Sequence, residues 1–320
     1  MSAMRGSTRR TAGLLALAVS VSLSVAGCGS TATGAAAVPV IGPVPTITAV
    51  EQISRPIDRY LVTPQQVTTL QSAANELNEK CMREFGLPPV ATGLIGFDDQ
   101  ALRYDRTHAP LYGFFDPAQA AVSGYDRVPA AAPGGPAGSS SPPSPEAMTV
   151  EHGVDQAGKA VSAYGGKSVP AGGCKGEGAR GTGGALPLPD PQALPDHGPK
   201  VPTDDPRVRA VFAAWSSCMR AKGYRYATPQ DVLADTGLLP TTREQDGVVS
   251  VRHSAEELKQ AVDDVACKLS TNLVGISLAV QSAYDTQYIE GHGPALDDYR
   301  RTVEDRVRAA ERILQGQGGA

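Results

Sequence analysis

Apolar residues at Val67, Leu70, Ala74, Leu77 and Cys81 recur at steps of three and four, a spacing that predicts a helix with one buried face. Thr63-Pro64-Gln65-Gln66 supplies its start: a capping threonine, a proline at the first helical position and a glutamine placed to close a capping box. Gly86-Leu87-Pro88-Pro89 ends it. A second helix opens at Asp205-Pro206 and carries Val208, Val211, Phe212, Trp215, Cys218 and Met219 on its apolar side. Thr228-Pro229-Gln230-Asp231 begins a short helix, and Ser254-Ala255-Glu256-Glu257 begins a long one through a second capping box. Leu258, Val262, Val265, Leu269 and Leu273 are expected to form its buried stripe, which leaves Cys267 off the stripe. The pattern runs on through Ile276 and Val280 to about Tyr288, where Gly291-His292-Gly293-Pro294 reads as a stop. Leu296, Tyr299, Val303, Val307, Ala310 and Leu314 then mark a final helix, so the C-terminus is expected to be an antiparallel helical hairpin with a Gly-Pro corner.

The cysteines fall on these helices in a regular way. Cys-Met-Arg-Glu-Phe-Gly-Leu at 81–87 and Cys-Met-Arg-Ala-Lys-Gly-Tyr at 218–224 form a short internal repeat, each copy closing a helix that opens with proline. Each copy is followed by one further cysteine, Cys174 within Val169-Pro170-Ala171-Gly172-Gly173-Cys174 and Cys267 within Val265-Ala266-Cys267. Four cysteines in an oxidising compartment read as two disulfides. Three pairings are open; Cys81 with Cys174 and Cys218 with Cys267, one staple per repeat, is the economical one. Tyr104, Tyr112, Phe114, Phe115 and Tyr125 lie inside the first loop so closed, where an aromatic cluster is expected to pack on the first helix. Pro129-Ala130-Ala131-Ala132-Pro133-Gly134-Gly135-Pro136, running into Ser139–Pro143, reads as disorder or a surface excursion. The expected fold is therefore mainly α: a disulfide-braced helical domain with a C-terminal helical hairpin and long Gly/Pro-rich loops. Its expected divisions are a signal at 1–27, a flexible tether at 28–55, a first cysteine-containing half at 56–178, a Gly/Pro-rich connection at 179–204 and a second half at 205–316.

The N-terminus changes where such a fold would reside. Arg5, Arg9 and Arg10 precede an apolar stretch from Ala12 to Val25, and small Ala26 and Gly27 stand before Cys28. These are the three parts of an export signal. The stretch covers about 14 residues, short of the roughly 20 that a permanent span requires. Cleavage without a lipid would leave Cys28 incidental. Val25-Ala26-Gly27-Cys28, however, resembles the lipobox of bacterial lipoproteins, which implies that Cys28 is acylated, with palmitate among the chains, and becomes the first mature residue. The formal charge is -4, and because Arg5, Arg9 and Arg10 lie before Cys28 with no acidic residue among them, the remainder is three charges more negative still. That argues against nucleic acid as a partner.

Taken with the Thr-Pro-capped helix ending in Cys-Met-Arg-x-x-Gly, the Gly-Gly-Cys-x-Gly-Glu turn and Trp-x-x-Cys-Met-Arg-x-x-Gly-Tyr, the lipobox makes the chain similar to the uncharacterised secreted lipoproteins of high-GC Gram-positive bacteria such as streptomycetes. The similarity covers roughly residues 1–30 and 56–290. It implies a location and a use for the cysteines, Cys28 for lipid and Cys81, Cys174, Cys218 and Cys267 as the recurrent set, and no reaction.

Motifs for chemistry are few. H-E-x-x-H, G-x-S-x-G, a phosphate loop and C-x-x-C do not occur, and neither a metal nor a cofactor is expected. Lys175 lacks the preceding glycine and the following hydroxyl that a phosphate loop needs. Asp98-Asp99, Asp204-Asp205, Asp263-Asp264 and Asp297-Asp298 are carboxylate pairs that work on a substrate only across a cleft. Cys174, in a glycine-rich loop, is the candidate nucleophile if one exists, with His152 or His197 as base. The leading expectation is a non-catalytic protein held to the outer face of the cell membrane through Cys28, binding an envelope polymer or a membrane protein. The alternative is an envelope hydrolase.

Overall fold

Helix α1 (Pro64–Glu84) starts as its sequence dictates: the Thr63 side chain accepts from Gln66 N, and Gln66 Oε1 accepts from Thr63 N at 2.9 Å. Its C-terminal turn reverses at Gly86, whose φ of 70° lies in the left-handed region. A computed structural model describes residues 38–90, 105–125, 143–245 and 248–317, and from Val38 onward these form one unit. The signal with Cys28, the Asp98-Asp99 pair, Tyr104 and the 129–141 proline-rich stretch lie outside the described residues.

Among the described residues the chain continues through a two-residue hairpin, β1 (His108–Ala109) with β2 (Gly113–Phe114), into α2 (Ala120–Ser123) and α3 (Pro145–His152). A second small hairpin, β3 (Ala163–Tyr164) with β4 (Lys167–Ser168), precedes α4 (Gly173–Gly181). Then come α5 (Pro206–Ala221), α6 (Pro229–Ala234), the antiparallel pair β5 (Thr241–Gln245) and β6 (Val248–Arg252), α7 (Ala255–Ser270) and the long α8 (Leu273–Leu314). Two disulfides brace this frame, Cys81–Cys174 and Cys218–Cys267, the pairing that gives one staple per repeat.

Helix α8 is the spine. Its first part closes the main core, in which Val211, Trp215 and Met219 of α5 and Val265 and Cys267 of α7 meet Leu273 and Val280. Its later part supports α1, with Val303 against Val62 and Val67, and Ala310 against Leu70 and Ala73. A smaller core joins Cys81 and Met82 of α1 to Ala147 and Val150 of α3 and to Cys174.

Several expectations are corrected here. The corner between the last two helices is not at Gly291–Pro294 but at Thr271–Asn272, where Asn272 takes φ 49° and α7 gives way to α8. α8 passes unbroken through Pro294 for 42 residues. An internal proline costs about 3 kcal/mol, but each side of it is held: Tyr288 and Leu296 are buried with Ile57 and Leu194, and a buried Leu is worth roughly 1.5–3 kcal/mol. His292 stacks on Tyr288, at 4.3 Å between ring centroids, and bonds the Tyr288 carbonyl.

The aromatic cluster sits elsewhere too. Tyr112, Phe114, Phe115 and Tyr125 pack in the Trp215 core rather than on α1. On α7, Val262 and Leu269 face outward, while Glu257, Gln260, Asp264, Cys267 and Lys268 are buried. Polar pairing explains this rotation: Lys268 Nζ lies 2.7 Å from Asp264, Trp215 Nε1 donates to the same carboxylate at 2.8 Å, and Gln260 donates to Tyr226 Oη. Cys267 is thereby brought onto the inner face, where Cys218 reaches it. Only the serine half of the expected capping box at Ser254 forms, because Glu257 is turned to His253. Within the stretch expected to be tether, Ile47, Val50 and Ile53 are buried, and Arg55 makes a two-pronged bond to the buried carboxylate of Asp285 on α8.

Candidate functional site

Helix α5 carries two faces. Val208, Val211, Phe212, Trp215 and Met219 enter the core, and beside them Arg209, Ala213 and Arg220 form a stripe that meets solvent, with buried Ser216 between. After Arg220 the helix ends on Gly223, whose φ of 98° only glycine adopts readily. That turn, closed by Tyr224 N donating to Met219 O at 3.0 Å, sends Arg225-Tyr226-Ala227-Thr228 back along the stripe. Ser216 Oγ donates to Tyr226 O at 2.6 Å and fixes the returning strand. Between helix and strand lies an open groove of about 860 Å³.

Three guanidinium groups line this groove, and among the described residues no carboxylate does. Arg220 donates to Ser216 Oγ and Ser217 Oγ, each at 2.9 Å, so its partners are neutral. Arg209 donates to the backbone carbonyl of Asp204, whose own carboxylate is bonded to Lys200. Arg225 is exposed, and its guanidinium has no partner among the described residues. Phe212 and Ala213 supply apolar lining, and Tyr226 is anchored through its ring, which packs on the main core with its hydroxyl donating to Asp235 at 2.7 Å.

The repeat explains how this face differs from its counterpart. Gly86 and Gly223 end the two helices alike, with Leu87 N on Met82 O and Tyr224 N on Met219 O. Arg83, the counterpart of Arg220, is paired with Glu76 at 3.4 Å and Glu79 at 3.5 Å. In the second copy those two positions are Ala213 and Ser216, and the place of Ser72 is taken by Arg209. The second face therefore has lost two carboxylates and gained a guanidinium. Sequence reasoning passed over these arginines because overall charge hides them; aligning the repeat further upstream reveals them.

The residues singled out from sequence are scattered and occupied. Cys174 is in helix α4 rather than a loop, fully buried and bonded to Cys81, so it offers no thiol. The glycines make that helix fit: a side chain on Gly178 would lie 2.4 Å from Ala74 O of α1. His152 is 3.6 Å from the buried Glu151, while His197 is exposed in a separate turn with φ 65°. Asp205 caps α5 and holds Arg207, and Asp204 holds Lys200. Asp264 is buried with Lys268; Asp263 faces Lys222 at 2.8 Å and Lys259 at 2.7 Å. Asp297 and Asp298 form exposed pairs with Arg300 and Arg301. None of these pairs spans a cleft.

Among the described residues no cluster of His, Cys, Asp and Glu is arranged to hold a metal, and no helix is long and apolar enough to cross a membrane. A second cleft, of about 840 Å³, runs between the 39–54 segment and α8 and is mainly apolar. No protein-family model, curated protein or solved structure matches the chain.

Proposed function

We propose that this is a non-catalytic binding protein, held on the outer face of the cell membrane by lipid on Cys28. The observation that carries the reading is the use of the cysteines: of five, the four that are described are consumed in two disulfides, which leaves Cys28 as the odd one. Bridged cysteines fit an oxidising compartment outside the cytoplasm. The same bonds remove Cys174 as the candidate nucleophile of the hydrolase alternative. On this reading the bilayer is one partner, through Cys28, and an envelope polymer or membrane protein is the other.

Palmitate labelling and fractionation test it. The wild-type chain is expected to take up label and sediment with membranes, whereas Cys28→Ala is expected to lose the label and to remain unprocessed or be released. Equal labelling of the two would overturn the anchor. Turnover of an envelope polymer by the wild-type chain would overturn the non-catalytic part.

A further inference from the structure

We infer that the groove between α5 and the 225–228 segment binds a linear polymer of small polyol units, not nucleosides, joined by phosphate diesters. The inference rests on the binding reading above and names its ligand class, but it does not require lipid on Cys28. Three features point to such a ligand.

First, the groove gathers three guanidinium groups that no ion pair neutralises, unlike its counterpart in the first repeat. Arg83, at the counterpart position, has two glutamates, whereas Arg209, Arg220 and Arg225 make no ion pair among the described residues; the one carboxylate near them, that of Asp204 beside Arg209, is held by Lys200. In a protein of net negative charge such a groove attracts a discrete anionic group, while the molecule as a whole is repelled from an anionic surface. Second, the charges are strung out rather than convergent. Arg209 and Arg220 are eleven residues apart on one helix face, about 16 Å along the axis. One compact anion cannot meet both; a chain with anions at intervals can. Third, the lining between them is neutral: Phe212, Ala213, the Ser216 hydroxyl, which bonds the Tyr226 carbonyl, and the 226–228 backbone. A neutral linking unit fits there, and each guanidinium fork matches the paired free oxygens of a phosphate diester.

Titration of the full chain, disulfides intact, with a synthetic glycerol phosphate oligomer of about ten units tests the assignment by calorimetry at low salt. Saturable binding is expected, weakening severalfold or more between ~50 and ~300 mM NaCl as counterion competition requires. Arg209→Gln/Arg220→Gln/Arg225→Gln should lose at least about tenfold in affinity, and Arg83→Gln, at the neutralised counterpart, should lose nothing. If circular dichroism shows the triple variant unfolded, Arg225→Gln alone decides, since that side chain holds no part of the fold; about a threefold loss is then expected. Absence of oligomer binding, or equal loss in Arg83→Gln, overturns the proposal. Glycerophosphoglycerol or inorganic phosphate binding as tightly as the oligomer would instead mean a site for a single phosphate or a lipid headgroup, and tighter binding of an oligogalacturonate of equal length would mean carboxylates; either result also overturns it. Palmitate labelling of Cys28 is untouched by these outcomes, so failure here and failure of the anchor are told apart.

Discussion

Lys268 and Asp264 form an ion pair whose two side chains are both shut off from solvent. Both are fully buried, one turn apart on α7, and Lys268 Nζ also donates to Phe114 O at 2.6 Å. Burial pushes the Asp264 carboxyl up and the Lys268 amine down, each opposed by the other's charge. Removing one partner strands the other, so Lys268→Met is expected to cost about 3–5 kcal/mol in urea unfolding. Adding Asp264→Leu should recover part of that loss, the remainder being Trp215 Nε1 and Phe114 O left without partners at roughly 1–3 kcal/mol each. A single variant within 1 kcal/mol of wild type would mean that the pair is not buried as described. Its neighbour Asp263 behaves oppositely. Burial alone would raise its carboxyl, but hydrogen bonds from Lys222, Lys259 and Tyr224 prevail and hold it down at about 2. A folded value below the unfolded one, about 3.9, means that ionised Asp263 stabilises the protein above about pH 4 and that this contribution is lost as pH falls toward 2. Asp263→Asn should therefore show a shallower drop in Tm between pH 4 and 2 than wild type; parallel curves would contradict it. In the sequence the two aspartates look alike, because adjacent residues reveal nothing about which side of a helix faces the core.

Among elements, legibility follows how local the cause is. The caps and proline starts of α1 and α5 and the glycines that end them act over a few residues, and both helices are where those signals put them. α4 was not legible: four of its nine residues are glycine, each unfavourable by about 1 kcal/mol in a helix interior. What sustains it is distant in sequence, the close approach to Ala74 and the bond from Cys174 to Cys81. α8 fails to stop at Pro294 for the same kind of reason, since residues 57 and 194 cover both sides of the proline. Pro294→Ala makes this testable. In a continuous helix alanine restores a backbone donor and relieves the ring clash, so a gain of roughly 1–3 kcal/mol is expected in thermal or urea unfolding. At a corner between two helices the same change would be neutral or destabilising, and that result would contradict the 42-residue helix. The groove was illegible at this scale because its arginines belong to a stripe beside the apolar one, and only the comparison of α5 with α1 separates a neutralised face from a charged one.

At the scale of the molecule, each disulfide ties one copy of the repeat to a different core. Cys81–Cys174 closes a separation of 93 residues in the smaller cluster, and Cys218–Cys267 closes 49 residues in the larger. Loop closure of those sizes is worth about 4 to 5 kcal/mol each by restricting the unfolded chain. That is comparable with the whole net stability of many domains, so reduction should lower Tm by many degrees. α8 joins the two cores, and the 105–125 segment from the first half of the sequence completes the core of the second, so the body folds as an interleaved unit rather than as two successive halves. The proposed lipid anchor at Cys28 is the decisive matter. Non-reducing peptide mass spectrometry of the protein taken from its own cell envelope is the most direct measurement. A diacylglyceryl mass on the peptide beginning at Cys28, with Cys81 linked to Cys174 and Cys218 to Cys267, is expected. An unmodified Cys28, a free Cys174 thiol or a crossed pairing would contradict the lipid-anchored, doubly stapled binding protein.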